Sequence, residues 1–127
     1  MDREAVAGEI VDSALKVHSS LGPGLLEGAY EACLEYELGR RGVDVCRQVL
    51  LPIRYGAIEI DAGYRVDLLV DRQVVVELKA VRSLLPVHQA QLLSYLRLGN
   101  FRLGLLLNFN VARMKEGIRR VLNGYGP

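Results

Sequence analysis

Three charged residues, Asp67, Glu77 and Lys79, stand in the apolar stretch 64–79, YRVDLLVDRQVVVELK, where a hairpin would bury its side chains. Buried charges are costly, so they are normally paired, bound to a metal ion or neutralised. Two carboxylates on adjacent strands form a hard oxygen site suited to Mg²⁺ or Mn²⁺. Zinc fits poorly, because neither Cys33 nor Cys46 is paired with a histidine at ligand spacing. A hard cation there would lower the pKa of its water and offset charge on phosphorus, and Lys79 would orient the attacking water or stabilise the transition state. That chemistry is phosphodiester hydrolysis. A buried Asp/Glu/Lys ion cluster is the alternative that the same residues leave open.

The site requires a particular hairpin. Side chains alternate along a strand, so Val75, Glu77 and Lys79 share one face and Val74, Val76 and Leu78 the other. Asp67 joins Glu77 only if Val70 pairs with Val74, which predicts a three-residue loop, Asp71-Arg72-Gln73. A two-residue turn at Asp71-Arg72 would put Asp67 opposite Val76, on the wrong face.

The flanking elements follow from periodicity. Val6, Ile10, Ala14 and Val17 recur at helical spacing over Glu4 to Ser20, with Asp2 as cap and Gly22 as stop. After Gly22-Pro23-Gly24 a second helix carries Leu26, Tyr30, Cys33, Leu34 and Leu38 on one face, ending at Gly42. Glu27 and Tyr30 share a face near its first turn, where the helix dipole favours a carboxylate. Val45 to Tyr55 reads as a strand that Pro52 confines to an edge or a bulge. Ile58 to Ile60 is a short strand, Gly63 a break, and Tyr64 to Val70 a further strand leading into Val74 to Leu78.

A third helix starts near Pro86 and runs to about Leu98, with Gln91 and Tyr95 on one face, placed to bond the sheet edge. Leu103 to Phe109 is a buried strand, Met114 to Leu122 a final helix and Gly124 to Pro127 a frayed tail. His18 and His88 are expected at the surface or as caps. The order α-α-β-β-β-β-α-β-α implies an α/β fold with a mixed sheet flanked by helices.

The 127 residues, half of them hydrophobic, suit a single domain spanning 1–127. No apolar run approaches a membrane span and the opening residues do not read as a signal peptide, so a soluble, cytoplasmic protein without a membrane partner is expected. Cys33 and Cys46 read as reduced thiols. Residues 1–37 hold eight acids and two bases, whereas seven bases and one acid follow Ala80. The basic half offers a landing surface for a polyanion.

The pattern D-x9-E-L-K after a glutamate-bearing helix resembles the PD-(D/E)XK nuclease superfamily, with its restriction-endonuclease-like αβββαβ core. More closely, GLLEGAY with Gly24, Glu27 and Tyr30, GYRVDLLV, VVVELKAV, VHQAQLLSYL and GLLLNF resemble the small family named for its GxxExxY motif. The resemblance implies a metal-dependent nuclease using Mg²⁺ or Mn²⁺ on nucleic acid, DNA ahead of RNA. It implies Glu27 as the helix-borne acid among the ligands, Asp67 as central ligand, Glu77 as second ligand and Lys79 as catalytic lysine. Gln91 and Tyr95 match the QxxxY element of RecB-like members, which borders the site. Val66 stands where the motif proline would be, which removes no ligand. A binding module that keeps the fold without cutting is the alternative. Since the chain is little more than a catalytic core, specificity is expected from a homodimer or an accessory protein.

Overall fold

Asp2 starts the first helix, α1 (Arg3–Leu21), by accepting the N–H of Ala5 at 2.8 Å. Val6, Ile10, Ala14 and Val17 are buried on one face, and Gly22 stops the helix with φ 70°. The connection to α2 (Glu27–Arg40) is pinned by Tyr30, whose hydroxyl donates to the Gly22 carbonyl at 2.6 Å and accepts from the Leu25 N–H at 3.1 Å. The Tyr30 ring stacks on Phe109 with centroids 4.5 Å apart. The motif tyrosine is therefore a core staple between α2 and the sheet.

The computed structural model describes residues 1–124, so most of the expected tail at 125–127 lies outside the described residues. Five strands follow: β1 (Val45–Tyr55), β2 (Ile58–Val70), β3 (Val74–Lys79), β4 (Leu103–Asn108) and β5 (Ile118–Leu122), with α3 (Pro86–Gly99) between β3 and β4. They form one sheet in the order β1-β2-β3-β4-β5. β3 and β4 are parallel and the other neighbours antiparallel, as a mixed sheet requires. The architecture is α/β and consistent with a restriction-endonuclease-like fold.

The alternation expected for β3 holds. Val74, Val76 and Leu78 pack in the layer of α1 and α2, whereas Val75 joins Leu92, Tyr95 and Leu96 of α3 in the other. Gly104 lets Leu92 press on the sheet, since a Cβ there would lie 3.0 Å from a Leu92 methyl. Pro52 sits in edge strand β1 where its register against β2 shifts.

Three expectations are corrected. Gly63 does not divide β2: a Cβ at that position would come within 2.3 Å of the Leu51 carbonyl oxygen, so glycine permits a close strand approach. The residues expected as a final helix form a short 3₁₀ turn, Met114–Gly117, and β5. Ile118 packs on the α1/α2 layer and Val121 on the α3 layer, which strand alternation allows and a helix does not. His18 is buried: its Nε2–H donates to the Val111 carbonyl at 2.7 Å, tying α1 to the segment after β4. His88 does cap α3, its Nδ1 accepting the Leu85 N–H at 3.0 Å.

Candidate active site

The β2–β3 hairpin has the register that the charges require. Val70 pairs with Val74, Leu69 with Val75 and Leu68 with Val76, around the three-residue loop Asp71–Gln73. The ladder stops there, one position short of Asp67 and Glu77. Side chains take over from it: the Asp67 N–H donates to Glu77 Oε1 at 3.0 Å, and the Leu78 N–H donates to Asp67 Oδ2 at 2.8 Å. Each carboxylate thus satisfies a main-chain donor of the opposite strand, and the two acids lie side by side.

The other flank of Asp67 is opened too. β1 pairs with β2 at Arg47–Leu68 and again at Val49–Val66, skipping Gln48 and Asp67, and Gln48 has φ 52°. Val66 packs in the α3 layer and Leu68 in the α1/α2 layer, although residues two apart normally share a face. β2 therefore turns over at Asp67. Groups from both layers reach the acid at that point.

Burial is the main cause of the raised pKa of Glu77, about 8, and the neighbouring Asp67 charge adds to it. Asp67 is also raised, first by burial, against the lowering effect of the Leu78 N–H; Glu31 adds repulsion. From the α3 side Tyr95 is pushed up to about 12 by burial and by the charge of Glu77, and its ring tilts against Tyr64 at 4.6 Å. Such convergence of carboxylates in low dielectric is relieved by a cation. The hard oxygen donors suit Mg²⁺ or Mn²⁺. Among the described residues no group of three or more His, Cys, Asp and Glu is arranged to hold a metal ion, so the acids stand as a pair.

Lys79 follows Glu77 on the same strand face and is half-buried. Its ammonium makes no ion pair among the described residues, while its charge draws the Glu77 pKa down. The backbone around it is clipped. The Lys79 carbonyl accepts the Phe109 N–H at 2.9 Å, and buried Asn108 bonds both the N–H and the carbonyl of Val81 at 3.1 and 3.0 Å.

Two expected members are not drawn in. Glu27 is exposed at the start of α2 and has no hydrogen bond or ion pair with Asp67, Glu77 or Lys79 among the described residues. Gln91 is exposed on α3, whereas Tyr95 is buried beside the acids. The helix acid that meets the site is Glu31, one turn after Glu27. Glu31 is 7% exposed; its Oε2 accepts from Arg47 Nε at 2.9 Å, and its Oε1 from the Gln48 amide at 2.9 Å. The same amide reaches Asp67 Oδ1 at 3.4 Å. The signal available in the sequence was the four-residue spacing of Glu27, Glu31 and Glu35 along one helical face.

A family model described as the PD-(D/E)XK nuclease superfamily matches residues 4–121. No curated protein matches the chain significantly. Among solved structures, the one titled "Crystal structure of SSO0001" is similar in fold, with a TM-score of 0.58 at 24% identity over 97% of this chain. The chain spans 60% of the length of that protein.

Proposed function

The chain belongs to the PD-(D/E)XK nuclease superfamily, and from that premise we propose that it is a metal-dependent nuclease hydrolysing phosphodiester bonds in nucleic acid. The observation that carries this reading is the exchange between Asp67 and Glu77, which sets two carboxylates together at an opened strand ladder. Members of the superfamily generally use divalent metal ions. Asp67 and Glu77 would hold the ion, Mg²⁺ or Mn²⁺, with Glu31 rather than Glu27 as the acid approaching from α2. When bound, the ion supplies Lewis-acid polarisation of the phosphodiester.

Lys79 orients the water that attacks phosphorus and offsets charge as the P–O ester bond breaks. Tyr95 walls the acids from α3 and keeps their surroundings poorly hydrated. The finer parts of the proposal are membership of the GxxExxY family, DNA ahead of RNA as substrate, a cytoplasmic location, and a homodimer or accessory protein supplying specificity. No described helix is long and apolar enough to cross a membrane.

The test is to incubate purified protein with Mg²⁺ or Mn²⁺ and single-stranded, duplex and branched DNA and RNA. Cleavage by wild type that Asp67→Ala and Lys79→Ala abolish supports the proposal; variants that match wild type on every substrate reject the assignment. A second reading, a nucleic-acid- or protein-binding module that does not cut, draws support from the acids standing only as a pair with Glu27 outside. Calorimetry separates the two: nucleic-acid binding without uptake of Mg²⁺ or Mn²⁺ favours the module.

A further inference from the structure

Gln48 stands across from Asp67, at the position that the β1–β2 ladder skips between Arg47–Leu68 and Val49–Val66. Both strands turn over there. On β1, Arg47 reaches Glu31 and Glu35 of α2, whereas Val49, two residues on, packs in the α3 layer, as Leu68 and Val66 divide on β2. The pairing resumes in unchanged register, so the reversal of one strand is matched by that of the other.

The backbone that makes this turn is strained. Gln48 has φ 52°, a left-handed conformation that glycine or asparagine adopts at less cost and that a regular strand does not contain. The register of β1 does not call for it, being the same before and after. What the turn does achieve is the aim of the side chain: the Gln48 amide donates to Glu31 Oε1 at 2.9 Å and, over a longer 3.4 Å, to Asp67 Oδ1. Strain held inside an ordered strand beside candidate catalytic acids points to a function for the residue that carries it.

The amide completes a chain of donors and acceptors. Arg47 Nε holds Glu31 at 2.9 Å, Glu31 holds Gln48, Gln48 reaches one oxygen of Asp67, and the Leu78 N–H from β3 holds the other at 2.8 Å. The Asp67 carboxylate is thereby held on both oxygens by the two strands that flank it. Outer donors of this kind strengthen cation binding, because a ligand already oriented has less freedom to lose. We infer that Gln48 is a positioning residue of the site: its amide, anchored on Glu31, sets the orientation in which Asp67 takes the cation. The inference rests on the nuclease reading and gives a residue outside the charged motif the task of setting its central acid.

Two variants separate the amide from the turn. Gln48→Gly keeps the left-handed backbone and removes the side chain, whereas Gln48→Met keeps the length of the side chain and removes its donors. Mn²⁺ binding to wild type and to both variants is measured by calorimetry, below the melting temperature of each. Both variants should bind Mn²⁺ about threefold to tenfold more weakly, the loss expected of one partly exposed hydrogen bond to a charged group. With labelled oligonucleotide at limiting Mn²⁺, kcat should fall with that affinity, while KM for the oligonucleotide stays at the wild-type value because Gln48 acts through Asp67.

Wild-type Mn²⁺ affinity in either variant overturns the inference, and so does a raised KM, which would make Gln48 a substrate contact. Both results leave the nuclease reading intact as long as wild type cuts and Asp67→Ala does not. Weaker Mn²⁺ binding that appears only where a variant has begun to unfold overturns the inference as well. A wild type that takes up Mn²⁺ without cutting rejects the nuclease reading, and the affinities of the two variants then decide the role of Gln48 by themselves. A wild type that takes up no Mn²⁺ overturns both.

Discussion

The Asp67 N–H donates to the Glu77 carboxylate at 3.0 Å, at the first position where the β2–β3 ladder no longer pairs. A buried acid and a half-buried one held this close destabilise the cation-free protein, and the sign with pH follows from Glu77. Its pKa is 4.5 when unperturbed and about 8 when folded, so between those values the folded state keeps a proton that the unfolded chain has lost. Stability therefore falls as pH rises through that window. Glu77→Gln retains an acceptor for the Asp67 N–H but removes the charge. In chelator it should be about 1–3 kcal/mol more stable than wild type at pH 8, with the gain shrinking toward pH 5. Added Mn²⁺ should raise the melting temperature of wild type and leave the variant unmoved. Denaturant melts at several pH values, with and without Mn²⁺, check both statements.

Glu27 and Glu31 are separated by one helical turn and by very different surroundings. Glu27→Gln should change stability by no more than about 0.5 kcal/mol, since the side chain is exposed. Glu31→Gln weakens the Arg47 ion pair and one route from α2 to Asp67, at a cost of about 1–3 kcal/mol given that Arg47 is 38% exposed. Cleavage should follow the same order, with Glu31→Gln the more damaged. Equal loss of cleavage in the two variants would return the helix acid to Glu27.

The contrast between these glutamates shows where sequence reasoning runs out. The three-residue loop at Asp71 was legible because only one register lets Asp67 face Glu77, and burial of an isolated charge is expensive. The apolar period of α1, the proline in β1 and the alternation of β3 were legible for the same reason: each is a local pattern tied to burial. Glu31 was only half legible: its four-residue spacing puts it on the face of Glu27, but its burial shows only once β1 brings Arg47 and Gln48 against it. The opening of the ladder on both sides of Asp67 is also tertiary, since it depends on the φ of 52° at Gln48, a conformation no residue type there announces. Gly63 was misread because glycine looks like a break until its neighbouring strand is known, and the chain after Met114 because Ile118 and Val121, three apart, suit one helical face until the sheet buries them on opposite sides.

Lys79 is predicted to act on chemistry and not on stability. Its half-buried ammonium has no ion-pair partner among the described residues, so Lys79→Met should leave the denaturation midpoint within about 0.5 kcal/mol of wild type. Cleavage should fall by about 10²–10³-fold, the usual loss when a donor to developing charge is removed. Mn²⁺ uptake, measured by calorimetry, should persist because both carboxylates remain. A variant that loses Mn²⁺ together with activity would mean that the lysine acts by holding the acids in place.

Gly117 offers a test of the strand that replaces the expected final helix. A Cβ there would lie 2.1 Å from the Asn108 carbonyl oxygen, a backbone atom that cannot swing aside. Gly117→Ala should thus cost about 2–4 kcal/mol, as overpacking against fixed groups does. Were residues 114–122 helical, the same substitution would stabilise by about 1 kcal/mol, because alanine is the better helix former. The two structures predict opposite signs from one urea titration. The damage should also reach the site: Asn108 holds Val81 through two hydrogen bonds and is the ladder partner of Lys79 across β3 and β4. Gly117→Ala should therefore lower cleavage below wild type even at temperatures where the variant remains folded, whereas Arg119→Ala, two residues on and bonded among the described residues only to the carbonyls of Glu116 and Ile118, should not.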